Sequence, residues 1–188
     1  MSKAVLISIQ PHWCELIANE RKTIEVRKTR PNLDPPFKCY IYCTNQRPFL
    51  VWGDVFRGNW ETEFTRVSGY SRKAAEKIWD VFNGHIMGEF VCDAIIPISV
   101  SYSDPSSHVA KKEFPYTCLT DEQIMNYLGN GKEGYGWHIS KLMVYDTPKE
   151  LSEFIGLRKT KFGYAPVAIQ RAPQSWCYVE EPDGGGAP

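Results

Sequence analysis

Lys22, Glu25 and Arg27 are the residues of this chain whose types and spacing best suit chemistry. They lie in Arg21-Lys22-Thr23-Ile24-Glu25-Val26-Arg27, a stretch that otherwise reads as a buried strand. Glu25 and Arg27 are two apart and share one strand face, while Ile24 and Val26 point the other way into a core. A carboxylate beside a guanidinium keeps both ionised where water is partly excluded. Lys22 is out of phase with the pair, but it stands at the strand's entrance, where a turn can swing its ammonium toward the same opening. Converging charges of this kind form a pocket. The plainer alternative is a solvated strand of alternating charge, the commoner setting for charged residues.

The elements that must position these charges are readable around them. Residues 4–9 form an apolar strand, Pro11 suits the first turn of a helix, and Trp13, Leu16 and Ile17 recur at helical spacing up to Glu20. The expected order is strand, short helix, charged strand. Residues 31–36 make a turn, and in 38–44 Cys39, Ile41 and Cys43 form a core face while Tyr40 and Tyr42 form the other. That tyrosine face is expected to line the cleft with Glu25, and the Tyr42 phenol there would stack on a base or bond a phosphate. Residues 45–69 read as an aromatic inserted loop, 71–82 as a helix and 85–100 as a long strand or bent pair. A polar loop over 101–115 follows, and Thr120 and Gln123 have capping-box spacing before a short helix through Leu128. A strand over 135–145, a helical turn from Thr147-Pro148 and a last strand over 175–180 complete the pattern.

The sum is α+β: about five strands with early and intervening helices, in a small, partly closed β-barrel with flanking helices and an inserted aromatic and helical segment at 45–84. Residues 1–181 read as a single domain and 182–188 as a flexible tail. At 43% hydrophobic and 13% aromatic residues, the chain can fill one core. No stretch approaches the roughly 20 apolar residues of a membrane span, and the N-terminus lacks a signal peptide's apolar segment, so a cytoplasmic protein with no membrane partner is expected. Six cysteines occur without a C-x-x-C pair. Cys39 and Cys43 would be about 13 Å apart on a strand, too far for a disulfide. Neither a metal site nor a cofactor is expected.

Formal charge is zero, 22 basic against 22 acidic residues, which excludes a chain that wraps long nucleic acid by charge alone. The distribution is uneven. Arg21, Lys22, Arg27, Lys28 and Arg30 form a basic mouth just after the first helix, able to take a short single strand.

The segment LISIQPHWCELIANERKTIEVR (6–27) resembles the opening of an ASCH domain, a branch of the PUA-like fold. The family signature is similar to G-x-K-x-x-E-x-R, matched by Lys22, Glu25 and Arg27 with Glu20 at the glycine position. The blocks KCYIYCT, GEFVCD, YGWHISKLMVYDTPKELSEF and PQSWCYVEE follow in order and extend the resemblance to a longer subfamily, nearly end to end. The resemblance implies a PUA-like barrel whose cleft lies near the first helix and the charged strand. It also implies binding of RNA or a modified nucleotide, with Lys22 and Arg27 meeting phosphate or base acceptors and Glu25 reading a donor edge. Trp137 and His138, from the GWHIS block, join Tyr42 as expected ligand-binding residues.

An enzyme stays open as the alternative. A small relative of the fold is an N4-acetylcytidine amidohydrolase in which a Lys activates a Thr three positions later; Lys22 matches that Lys, but Glu25 occupies the Thr position. Other ASCH proteins are ribonucleases on single-stranded RNA, and for that reaction Lys22 would stabilise the phosphorane while Tyr42 or His138 moves a proton. A third reading is a regulatory protein-interaction module. The chain is expected to be a monomer. Lys22→Ala and Arg27→Ala are expected to weaken single-stranded RNA binding without unfolding the protein.

Overall fold

The computed structural model describes residues 2–45, 82–101 and 114–181. The aromatic loop and helix expected over 46–81, most of the 101–115 loop and the 182–188 tail lie outside the described residues.

Eight strands form one sheet: β1 Lys3–Ile9, β2 Ile24–Arg27, β3 Phe37–Cys43, β4 Ile86–Ser99, β5 Glu133–Lys149, β6 Ile155–Thr160, β7 Gly163–Ala168 and β8 Trp176–Glu180. Among the described residues two complete α-helices accompany them, α1 Pro11–Ala18 and α2 Asp121–Leu128. The strand order is β2-β5-β4-β3-β1-β8-β6-β7, so the sheet is open, with β2 and β7 at its ends. This is the expected α+β arrangement with flanking helices. The added strands are the β6–β7 hairpin, whose mixed residues lack a clear period-two pattern.

β1 sits mid-sheet because all of Ala4 to Ile9 is apolar or small enough to bury on both faces. It runs parallel to β3 and antiparallel to β8, so α1 and β2 form the crossover between two parallel strands. On one face Val5, Ile7, Cys39, Ile41, Phe90, Cys92 and Trp137 pack with Cys14 and Ile17 of α1. On the other, Leu6, Tyr40, Ile86, Phe154 and Val179 form a second layer. A third cluster joins Ile24, Val26 and Ile98 to Ile124, Met125 and Leu128 of α2.

β4 and β5 are long and bent, with register shifts where they pair. At one shift a side chain on Gly88 would overlap the Met143 carbonyl, so the close approach requires glycine. The helical turn expected at Thr147-Pro148 is instead the end of β5, held extended by pairing Lys149 with Ile86. The turn forms later, at Leu151–Glu153, where the Glu150 amide donates to Glu153 Oε1 at 2.7 Å.

The turn into the charged strand is a C-terminal helix cap. Glu20 takes a left-handed φ of 56°; its amide donates to Ile17 O at 2.8 Å and the Arg21 amide to Leu16 O at 2.9 Å. This is the Schellman pattern usually completed by glycine. Lys22 N also donates to Leu16 O, which fixes where β2 begins.

Candidate functional site

β2 places Ile24 and Val26 in the α2 cluster and turns Glu25 and Arg27 to the other face, as the two-residue period requires. All three charged residues are buried: Lys22 is 2%, Glu25 6% and Arg27 7% exposed. The carboxylate bridges the cations, with Oε2 3.3 Å from Lys22 Nζ and Oε1 2.9 Å from Arg27 Nη2. Burying three ionised groups requires that each keep its hydrogen bonds.

Lys22 meets that requirement fully. Beyond Glu25, Nζ donates to Ile24 O at 3.0 Å and to Thr117 O at 2.6 Å, and it lies 5.1 Å from the centre of the Trp13 ring. An ammonium has three protons, and three oxygens receive them. Arg27 Nη2 also donates to Ser8 O at 2.7 Å, and Nη1 approaches Ser175 Oγ at 3.5 Å. Its Nε is buried with no hydrogen-bond partner. Two cations around one carboxylate leave the cluster with a formal charge of +1.

These three side chains line a cavity of about 580 Å3. Its other walls come from distant parts of the chain: Ser8 and Gln10, Trp13, Thr44, Gln123, Asn126 and Tyr127 of α2, and Gln174 and Ser175. Gln10, Asn126, Tyr127 and Gln174 are exposed at the rim, while the charges form the floor. Thr44 Oγ1 is buried without a hydrogen-bond partner. Amides, hydroxyls and two aromatic rings over a positively charged floor can orient a planar polar ring and hold an anion.

The other sequence-predicted residues lie elsewhere. Tyr42 packs against the layer containing Leu6, Tyr40, Ile86 and Phe154 and does not line the cavity; Tyr40 is buried edge-on against Phe154, with ring centres 4.9 Å apart. The tyrosine face of β3 therefore packs as core, because Phe154 lies on it and Leu6 of the adjacent β1 extends the same layer. Trp137 is directly opposite Glu25 on β5, but it is fully buried, between Phe37 at 5.9 Å and Trp176 at 6.0 Å. It supports the strand beneath the charges without reaching the cavity. His138 pairs with Ile24, so it shares the face turned away from Glu25; its Nδ1 is 2.6 Å from Asp93 Oδ1 on β4. Desolvation alone would raise the Asp93 carboxyl, but the His138 bond and charge outweigh it and hold that carboxyl below its usual range. Thr23 is not a cavity residue either; its amide and carbonyl are tied to Tyr116 and Ile139.

Two further ionisable groups flank the cluster on α1. Burial, aided by the Lys22 charge, lowers His12 to about 4. Burial raises Glu15 to about 7 against a smaller opposing pull from Arg21, and both its carboxyl oxygens are buried with no hydrogen-bond partner. Burial also pushes the Cys14 and Cys39 thiols up, and Cys92 to about 12. Protonated thiols of this kind pack as small hydrophobes. Among the described residues, no three His, Cys, Asp or Glu side chains are grouped to hold a metal, and no helix is long and apolar enough to cross a membrane.

No protein-family model matches the chain, and no curated protein matches it. Solved structures do. The chain is similar to ASCH from Zymomonas mobilis at 15% identity and a TM-score of 0.49, over 95% of this chain and 88% of that one. A Ser-to-Ala variant of the same bacterial protein is similar at 14% identity and a TM-score of 0.49, over 95% of this chain and 89% of that one. A Tyr-to-Phe variant is similar at 15% identity and a TM-score of 0.46, over 96% of this chain and 92% of that one.

Proposed function

We propose that this protein binds single-stranded RNA or a modified nucleotide in the cavity over Lys22, Glu25 and Arg27. The observation that carries this reading is a buried cluster of net charge +1 at the base of a cavity walled by amides and aromatic rings. The floor charge suits a phosphate or a base carbonyl. Gln10, Asn126 and Gln174 can read the hydrogen-bonding edge of an unstacked base, and Trp13 and Tyr127 can stack on its face. The ASCH-like sequence signature agrees with this assignment.

Binding is favoured over hydrolysis because Lys22 donates all its protons to protein oxygens, so it does not act as a base toward a hydroxyl. The test is titration of cytidine monophosphate and N4-acetylcytidine into wild type, Gln10→Ala and Asn126→Ala, with circular dichroism to confirm folding. Both substitutions are at exposed rim positions and should weaken binding about tenfold, the loss of one good polar contact. Unchanged affinity in both variants refutes the cavity assignment. Turnover of N4-acetylcytidine by wild type would replace binding by hydrolysis.

A further inference from the structure

A second cavity of about 640 Å3 lies beside the first, lined by Gly156, Leu157, Val167, Arg171, Gln174 and Tyr178 among others. Gln174 belongs to both linings, so the two hollows meet at one side chain. The second is built by the β6–β7 hairpin and the segment that follows it. Within this neutral chain, residues 155–172 contain Arg158, Lys159, Lys161 and Arg171 and no Asp or Glu. All four cations are exposed, and none makes a salt bridge among the described residues. At the hairpin tip Phe162 is 94% exposed, with Lys161 Nζ 5.9 Å from its ring centre.

We propose that the second cavity and the hairpin are the track for the flanking nucleotides of a single-stranded polynucleotide. One nucleotide occupies the charged cavity, the strand passes over Gln174, and successive phosphates meet Arg171 and the hairpin cations. This inference rests on the binding reading above, selects a strand over an isolated modified nucleotide, and assigns the surface that holds its flanking nucleotides. Exposed basic residues attract any polyanion, but here one of them, Arg171, lines a cavity that shares Gln174 with the charged cavity able to seat a base, which a lipid surface would not use. An exposed aromatic ring beside cations adds a stacking platform for a further base.

The test compares cytidine monophosphate with a fluorescein-labelled octameric oligouridylate in wild type, Arg171→Ala, Lys161→Ala and Phe162→Ala. All three positions are exposed, so each variant should fold. The octamer should bind wild type at least tenfold more tightly than the mononucleotide. Arg171→Ala and Lys161→Ala should each weaken the octamer about threefold or more and reduce its salt slope by about 0.7, one phosphate contact on a single strand. Mononucleotide affinity should be the same in all four proteins. Equal octamer affinity and salt slope in wild type and variants overturns the track while leaving the cavity reading intact. Octamer binding that depends on Arg171 and Lys161, with no mononucleotide binding and no effect of Asn126→Ala, keeps the track and removes the cavity reading. Binding of neither probe removes both. Loss of phosphatidylserine vesicle binding in Phe162→Ala, with octamer binding unchanged, identifies a membrane surface instead and overturns the proposal.

Discussion

Lys22 combines the roles of anchor and charge. Its ammonium ties the start of β2 to Thr117 and to Glu25, so truncation removes a buried cation, takes a donor from two carbonyls and leaves the Glu25 carboxylate to Arg27 alone. Lys22→Ala is therefore expected to cost about 3–5 kcal/mol, measured by urea unfolding. That is a large share of a domain's stability, in contrast to the sequence-based expectation that this substitution spares the fold. The exposed rim residues are the better probes of binding. Glu15 gives a pH-dependent prediction. Its folded carboxyl, raised from 4.5 to about 7, keeps a proton that the unfolded chain releases. Between those values the folded state binds more protons, so stability falls as pH rises. Glu15→Gln should remove that slope and be more stable than wild type at pH 8 by at most about 3 kcal/mol, with the advantage gone by pH 4.

At the scale of elements, the two short helices are fixed by their ends. α2 carries the reciprocal cap its sequence announces: Thr120 Oγ1 accepts from the Gln123 amide at 3.2 Å, and Gln123 Oε1 accepts from the Thr120 amide at 2.9 Å. Thr120→Ala should cost about 1 kcal/mol in thermal unfolding. Because α2 contributes Asn126 and Tyr127 to the cavity, the same variant should also weaken nucleotide binding. α1 ends on Glu20 in a left-handed conformation where a side chain is strained. Glu20→Gly should stabilise the protein by about 0.5–1 kcal/mol, since glycine takes that φ without the steric cost. The turn thus keeps its shape without the glycine of the similar signature, because three amides donating to Ile17 and Leu16 carbonyls hold it.

Across the whole molecule, the cavity is a meeting point of β1, α1, β2, α2 and the segment before β8, whose residues are far apart in the chain. A ligand bridging them should stabilise the fold as a unit. Cytidine monophosphate at a hundred times its dissociation constant should add about 2.7 kcal/mol, read as a rise in melting temperature that Asn126→Ala reduces at the same concentration.

The amino-acid sequence alone determined what local periodicity controls. It placed Glu25 and Arg27 on one face of β2 with Ile24 and Val26 on the other, set the strand–helix–strand order, and announced the α2 cap and the core face of β3. Alternation and capping are properties of neighbouring residues, so they are legible along the chain. Tertiary structure alone decided which strand faces are covered. Tyr42 and Trp137 went to packed layers because Phe154 and Trp176 lie against those faces, and His138 turned away with Ile24 by its register on β5. Gln10, Asn126, Tyr127 and Gln174 carry no local signal, since what makes them cavity residues is the pairing of distant segments. Burial also settled the character of the charged triplet: the order of residues supplied the charges, and the fold sealed them with backbone carbonyls.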